Sequence, residues 1–502
     1  MSEDRLSIAR YYHERTKYHP ETIGQNTPDI DWERPPVPFK DYKFGTSIDL
    51  KPDLKSEPPH DGWQRISRLL SYSYGITARL PTLNSSDILL RAAPSAGGLY
   101  PAEVYLVSRG TPELPVGLYN YQPRDRSLLK FWDSDLWKPL QAACFWHPAL
   151  ETSHVAVIVT AVFFRSAWRY QDRAYRRIHL DIGHLLGNLE LTGALNDYRP
   201  HFIGGFCDAA VNECLYLNPD EEGAIAVVPL TDLRDRDLDR SSYPTALPSS
   251  TQIDYPDLAD GDLLTYLHRA SCIEKELPNP ENRPTAPSLE DKYNFPFCTK
   301  ISTATDAIDW GENLQGLETT LLKRRSTRTY NGAPLTFDRL KTLLDFTYHP
   351  EHYVRFGFNG NPDYFDIESV QTFVVVSAVE GLEAGCYYYA PKAQELRQIR
   401  FKNFRRELHF LCLGQDLGRD AAVTIFHTAN LSAAVDRYGD RAYRYLHLDA
   451  GHLGQRANLA AIYLGFGASG IGGFFDDRVN DVLGIPEDEA VLYITTFGQP
   501  RI

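Results

Sequence analysis

The seventeen residues Arg169-Tyr-Gln-Asp-Arg-Ala-Tyr-Arg-Arg-Ile-His-Leu-Asp-Ile-Gly-His-Leu185 return as Arg437-Tyr-Gly-Asp-Arg-Ala-Tyr-Arg-Tyr-Leu-His-Leu-Asp-Ala-Gly-His-Leu453, thirteen of them identical. The same offset of 268 residues carries Gly117, Tyr119, Tyr121 and Pro123 onto Gly385, Tyr387, Tyr389 and Pro391, and Ile203-Gly-Gly-Phe206 onto Ile471-Gly-Gly-Phe474. A period this long marks two duplicated domains and excludes a solenoid of short repeats. Residues 94–215 and 362–483 align without a gap, so both copies must build one and the same module.

Hydrophobic patterning gives that module an α+β character. Strand-like runs at Val104 to Val107, Leu118 to Tyr121 and Val155 to Phe164, matched by Phe373 to Val376, Cys386 to Tyr389 and Ala421 to Phe426, precede a long helical pattern. The helix spans 173–195 and again 441–464, and it is apolar on most faces, which places it in a core or an interface. Ile-Gly-Gly-Phe, a short helix and a final strand (Ala224 to Val228; Ala490 to Thr496) complete each copy. The chain then divides into an extended lead-in over 1–60, the first copy over 61–240, a linker over 241–320 rich in Pro, Ser and Asp, and the second copy over 321–502. One helical patch, Asp262 to Ser271, interrupts the linker.

Bulk properties exclude several function classes. A net charge of -14 with no Lys/Arg-rich block argues against nucleic acid or an anionic membrane as partner. No apolar run approaches the roughly 18 residues of a membrane span. Seven scattered cysteines without a C-x-x-C imply neither a disulfide framework nor a zinc site, and a cytoplasmic protein acting on small molecules is expected. His179 and His184 stand about 140° apart around a helix, so they cannot share a metal as an i, i+4 pair would. They are read as polar contacts of the helix interface, and no metal is expected.

Five motifs carry candidate chemistry. Lys323-Arg-Arg-Ser-Thr-Arg328, just before an amphipathic helix over 335–346, suits an oxyanion, because guanidinium groups and free backbone N–H groups both bind phosphate; taken alone it reads more readily as a solvated basic patch. Pro94-Ser-Ala-Gly-Gly-Leu-Tyr-Pro101 would let a flat ring approach the backbone, or is a simple turn. The paired glycines of Ile-Gly-Gly-Phe offer the same two readings. Gly465-Phe-Gly-Ala-Ser-Gly470 matches G-x-G-x-x-G but follows a helix, which is the wrong context for a dinucleotide loop. The pairs Arg169-Tyr170 and Arg437-Tyr438 enter the long helices; Arg can steady negative charge and Tyr can exchange a proton, or both belong to a structural cluster.

Taken together in this order, R-R-S-x-R, P-S-A-G-G-L-Y-P, G-x-Y-x-Y, R-Y-x-D-R-x-Y-R-x-x-H-L-D-x-G-H and I-G-G-F, the chain resembles the SagB-type dehydrogenases of the nitroreductase superfamily over roughly residues 60–230 and 320–502. The resemblance implies a nitroreductase-like fold in two tandem copies forming an intrachain pseudo-dimer, for which a monomer in solution suffices. It implies FMN at the junction of the copies. The phosphate would lie on Arg324, Arg325, Ser326 and Arg328 with Arg501 as helper, and the ring along Pro94, Ser95, Ala96 and Gly97 and near Gly472 and Gly473. It implies hydride transfer to flavin N5 from a small or peptide-derived substrate, such as a heterocycle, with oxygen as acceptor. An NAD(P)H-dependent nitro or quinone reductase and a non-catalytic binding partner are the alternatives.

Departures from the family pattern sharpen this expectation. Ser95-Ala-Gly-Gly98 falls on Asp363-Tyr-Phe-Asp366, and the phosphate arm falls opposite Leu50-Lys-Pro-Asp-Leu54, so each copy lacks what the other kept. One FMN per chain follows. Arg stands in both copies where azoline-oxidising members carry Lys before Tyr, which puts azole formation in doubt. Tyr170 is the first choice for acid/base work together with Arg169, and Tyr438 is the fallback.

Overall fold

Each copy builds a seven-stranded antiparallel sheet, and the two sheets share one strand order. In this computed structural model, which describes residues 5–24, 30–50, 62–81, 87–234, 243–275 and 292–501, the first sheet runs Thr46–Asp49, Ser127–Trp132, Gly117–Gln122, Ala102–Ser108, Val155–Val162, Glu222–Asp232, Tyr198–Pro200. The second runs Lys300–Ser302, Glu395–Arg400, Gly385–Ala390, Gln371–Val376, Val423–Asn430, Glu489–Gly498, Gly467–Ile471. Alternation along the central strands serves two cores. Val104 and Leu106 face the long helix, whereas Tyr105 and Val107 face the short helices Trp137–Ala143 and Asp208–Cys214. Both faces are covered, which is why these strands read as near-continuous apolar runs.

The long helices Ala174–Leu195 and Ala442–Tyr463 are buried along almost their whole length because they pack on each other as well as on their own sheets. Gly183 and Gly451 mark the crossing. A Cβ at either position would collide with the facing backbone, Leu448 O or Leu180 O, and would lie 2.9–3.0 Å from the other glycine's Cα.

The repeated D-R-A-Y-R segment is accounted for at the same interface. Arg173 and Arg176 of the first copy grip Asp476 of the second at 2.9 and 2.6 Å, and Arg441 and Arg444 of the second grip Asp208 of the first at 2.6 and 2.8 Å. Each carboxylate follows an Ile-Gly-Gly-Phe by two residues, so the two most conserved motifs of the duplication clamp one copy onto the other.

The lead-in and linker are not merely the extended lead-in and connecting segment expected. Helix Ile8–Arg15 buries Ile8, Ala9, Tyr12 and His13, and helix Leu263–Ala270 buries Leu263, Leu264, Leu267 and His268. They are equivalent to one another. Ala9 N donates to Asp440 and Leu264 N to Asp172, while Arg176 donates to His13 O and Thr16 Oγ1 as Arg444 does to His268 O and Ser271 Oγ. Each segment also adds an edge strand to its sheet, Thr46–Asp49 and Lys300–Ser302, and sends a lysine to the last long strand, Lys40 to Glu222 and Lys292 to Glu489. The linker is therefore the lead-in of the second repeat, too diverged at the level of identity to be read as such. No helix among the described residues is long and apolar enough to cross a membrane.

Candidate functional site

A cavity of about 150 Å³ opens where the copies meet, lined by Pro94, Ser95, Ala96, Gly97 and Gly98 of the first copy and by Ser326, Arg328, Ser469, Gly470, Gly472 and Tyr493 of the second. The long helix of the first copy supplies its floor through Arg177, Leu180, Asp181 and His184. Seven of the expected residues thus meet in one place, although they lie as far apart as 94 and 472 in the chain.

Local chemistry sets the turn. Gly97 and Gly98 hold φ of 65° and 68°, a left-handed conformation that glycine adopts without strain. Asp181 fastens the turn by accepting from Ser95 Oγ at 2.6 Å and from Ala96 N at 3.1 Å. Burial pushes the Asp181 carboxyl up to about 7 despite these donors and the Arg177 charge. On the other side the arm follows helix Gln315–Lys323 and runs beside the edge strand Gly467–Ile471, where Thr327 N donates to Ala468 O at 2.9 Å. A Cβ on Gly467 would strike Thr327, so a glycine of the G-x-G-x-x-G segment makes room for the arm instead of forming a dinucleotide loop.

The arm's arginines divide their duties. Arg328 is exposed, lines the cavity and has no ion pair among the described residues. Arg324 is buried and donates to Ala92 O at 2.5 Å and Arg91 O at 3.1 Å, pinning the chain just before Pro94; its Nη1 has no partner among the described residues. Arg325 is tied to Thr77, through Oγ1 at 2.9 Å and the carbonyl at 2.6 Å, and does not line the cavity. Arg501 is exposed, and its backbone N–H donates to Thr329 O, one residue beyond the cavity-lining Arg328. The following helix begins at Phe337, so its N-terminus is not part of the cradle as the sequence suggested.

Tyr170 stands at the rim. Its hydroxyl lies over Gly97, 2.7 Å from where a Cβ would be, and its ring receives the Arg177 guanidinium at 3.6 Å. Burial raises its pKa, with Arg177 and Arg169 opposing, so it is a neutral proton donor. Arg169 is exposed beside it. Gly473 sits next to the cavity-lining Gly472, under Leu413, with Arg177 Nη2 3.5 Å from where its Cβ would be.

Sequence reasoning missed Arg177, Asp181, His184 and Tyr493. Arg177 donates to Gly472 O at 3.1 Å, and its Nη1 is buried without a partner among the described residues, an unspent donor at the cavity wall. Tyr493 donates to His184 Nε2 at 2.9 Å, and His184 Nδ1 donates to Gln455 Oε1 at 2.8 Å. Burial depresses His184 to about 3, so this chain of hydrogen bonds is neutral. A signal existed for Arg177: it is one of the four positions at which the seventeen-residue motifs differ.

The equivalent place in the other half is filled by its own side chains. Tyr445, the counterpart of Arg177, stacks on Phe365 with centroids 5.4 Å apart at 15°, and Tyr364 lies on His452 at 4.6 Å. A Cβ on Gly204, counterpart of Gly472, would lie 2.7 Å from both Phe365 and Tyr445. Asp449 still holds the loop, accepting from Phe365 N and Asp366 N, but Asp366 pairs with Arg437 at 2.9 Å and Tyr438 packs edge-on against Tyr445. Tyr438 is thus enclosed in the plug. The stretch opposite the phosphate arm lies, beyond Leu50, outside the described residues.

The open cavity is a cationic pocket with a glycine-rich wall. Arg177 and Arg328 line it together with a single carboxyl, Asp181, which burial raises to about 7. Such a donor set fits an anionic ligand with a flat body, the phosphate and ring of a flavin nucleotide. Typical cofactor sites measure roughly 300–1,000 Å³, so such a ligand would extend past Gly98 and Arg328 toward solvent.

Comparison with known proteins gives a consistent picture. The Nitroreductase family model matches twice, over residues 66–230 and 321–499. A crystal structure described as a nitroreductase from Anabaena variabilis aligns with a TM-score of 0.94 at 64% identity, over 99% of this chain and 100% of that one. The nitroreductase-type protein MJ1384 of Methanocaldococcus jannaschii is 33% identical over 35% of this chain and 88% of its own length. The trifolitoxin-processing protein TfxB of Rhizobium leguminosarum bv. trifolii is 28% identical over 38% of this chain and 53% of its own.

Proposed function

Because this chain belongs to the nitroreductase family, with the family's domain present twice, we propose that it is an FMN-dependent oxidoreductase of the SagB type with one flavin site per chain. The observation that carries the reading is the contrast between the two halves: a cationic, glycine-walled cavity on one side and an aromatic plug of Tyr364, Phe365 and Tyr445 on the other. Flavin held there would supply a two-electron acceptor or donor of hydride.

In this reading Arg328 and Ser326 bind the phosphate and Arg177 faces the ring. The Ser95–Gly98 turn gives the ring a flat wall, with Asp181 and Arg324 fixing the turn from below and behind. Tyr170, whose hydroxyl stands at the rim over Gly97 with no hydrogen-bond partner among the described residues, orients the substrate and exchanges the proton that accompanies hydride transfer. The likeness to a trifolitoxin-processing protein supports a small or peptide-derived substrate. Flavin quantified against protein tests the site, with one per chain expected and two or none overturning it. Anaerobic bleaching tests the reaction: a response to NAD(P)H alone would replace the dehydrogenase with a reductase.

A further inference from the structure

Away from that cavity, His349, Glu351 and His352 each offer a ligating atom that lies within 4.8 Å of the other two. The local sequence brings them together. Helix Phe337–Tyr348 ends at His349, Pro350 cannot continue it, and the 3₁₀ turn Pro350–Phe356 folds Glu351 and His352 back beside His349. The imidazole rings lie nearly parallel, 16° apart with centroids at 5.2 Å.

Each ring is already oriented from behind. His349 Nε2 is 3.1 Å from the Tyr389 hydroxyl, and its Nδ1 is 3.1 Å from Glu351 Oε1. His352 Nδ1 is 2.7 Å from Asp345 Oδ1, and the buried Asp345 also accepts from the Tyr353 hydroxyl at 2.7 Å. Metal-binding histidines are held in this manner, with the nitrogen away from the ion engaged by a carboxylate or hydroxyl that fixes tautomer and ring angle. Two imidazole nitrogens and one carboxylate select a borderline transition ion over calcium or magnesium, which take oxygen ligands. The position is also favourable for a dication, since a twelve-residue helix ends there with its negative pole.

We propose that His349 Nδ1, the Glu351 carboxylate and His352 Nε2 bind one divalent ion of the zinc class, leaving a fourth position open. Glu351 also lines a cavity of about 340 Å³ between the copies, with Glu190, Arg199 and Pro200 from the first and Phe358 and Asn361 from the second. The ion would stand at its edge, where a ligand of the cavity can reach it. Nothing in this assignment depends on the flavin.

Isothermal titration of the chelator-treated full chain with zinc chloride tests it. One saturable zinc per chain is expected, with affinity falling in acid as the imidazoles protonate, and with a zinc-dependent rise in melting temperature. Glu351→Gln and His352→Gln should each weaken binding by at least about tenfold. Both side chains reach solvent, 57% and 36% exposed, so the fold is not at stake, and circular dichroism checks that it is kept. Absence of saturable binding to the parent chain, or binding undiminished in either variant, overturns the site and leaves an ordinary His349–Glu351 hydrogen bond.

Discussion

Arg177 and Tyr445 hold the same place in two copies of one motif, and with the exchange of Ala96-Gly97 for Tyr364-Phe365 that difference separates a cavity wall from a plug. The identical positions around them turned out to serve the clamp: Arg173, Arg176 and their counterparts bind carboxylates across the copies. Motif identity was therefore legible as importance but misleading as to kind, since duplication preserves what both halves need and a single site needs only one. Arg328, which lines the cavity and has no ion pair among the described residues, is the cleanest test of phosphate binding. Arg328→Ala should weaken flavin by roughly 10–100-fold, the worth of one charge-assisted hydrogen bond of about 1.5–3 kcal/mol, read by fluorescence titration. Asp181 supplies a pH signature. Its carboxyl is raised to about 7, so its contribution to stability is complete below the ordinary carboxylate range and is lost as pH rises through 7. The same deprotonation puts a negative charge into an anion site. Flavin affinity should decline through that range and lose this inflection in Asp181→Asn; a decline unchanged in the variant would assign it to another group.

At the level of elements, strands and the long helices were readable because their apolar patterns are long, while the edge strands Gly467–Ile471 and Tyr198–Pro200 were not, being short and rich in glycine, proline or polar residues. The helix Ile8–Arg15 was hidden for a physical reason: its mean hydropathy is low, and only interactions distant in sequence, Asp440 and Arg176 among them, make it part of the core. The crossing of the long helices at Gly183 and Gly451 allows a sharp forecast. Gly183→Ala or Gly451→Ala forces backbones apart and should cost about 1–3 kcal/mol or more by overpacking, seen as a lower denaturation midpoint. The clamp gives a second. Asp208→Asn and Asp476→Asn each leave two arginines with one neutral partner in a dry interface, and each should cost about 3–5 kcal/mol. Equal losses from the two are expected, because the clamps are equivalent even though the cavities are not. A chain in which either substitution is silent would have its copies held by apolar packing alone.

Across the whole molecule, the complementary losses noted in the sequence correspond to one open and one filled place, although the exact duty of each arm residue could not be read from the chain: Arg324 braces, Arg325 ties to Thr77 and Arg328 faces the cavity. Emptying the plug is instructive. Phe365→Gly with Tyr445→Arg should not create a second flavin site while the first copy lacks a basic arm, so stoichiometry should remain at one; a rise to two would show that the arm is dispensable. The plug itself carries a consequence for how such a molecule can come about. In an assembly of two identical chains every substitution is made twice, and an aromatic residue that closes one active site closes the other. Only when the two halves are coded by separate copies, as they are along this chain, can inheritance treat them differently. The stacking of Phe365 on Tyr445 is thus a change that duplication of the module had to precede.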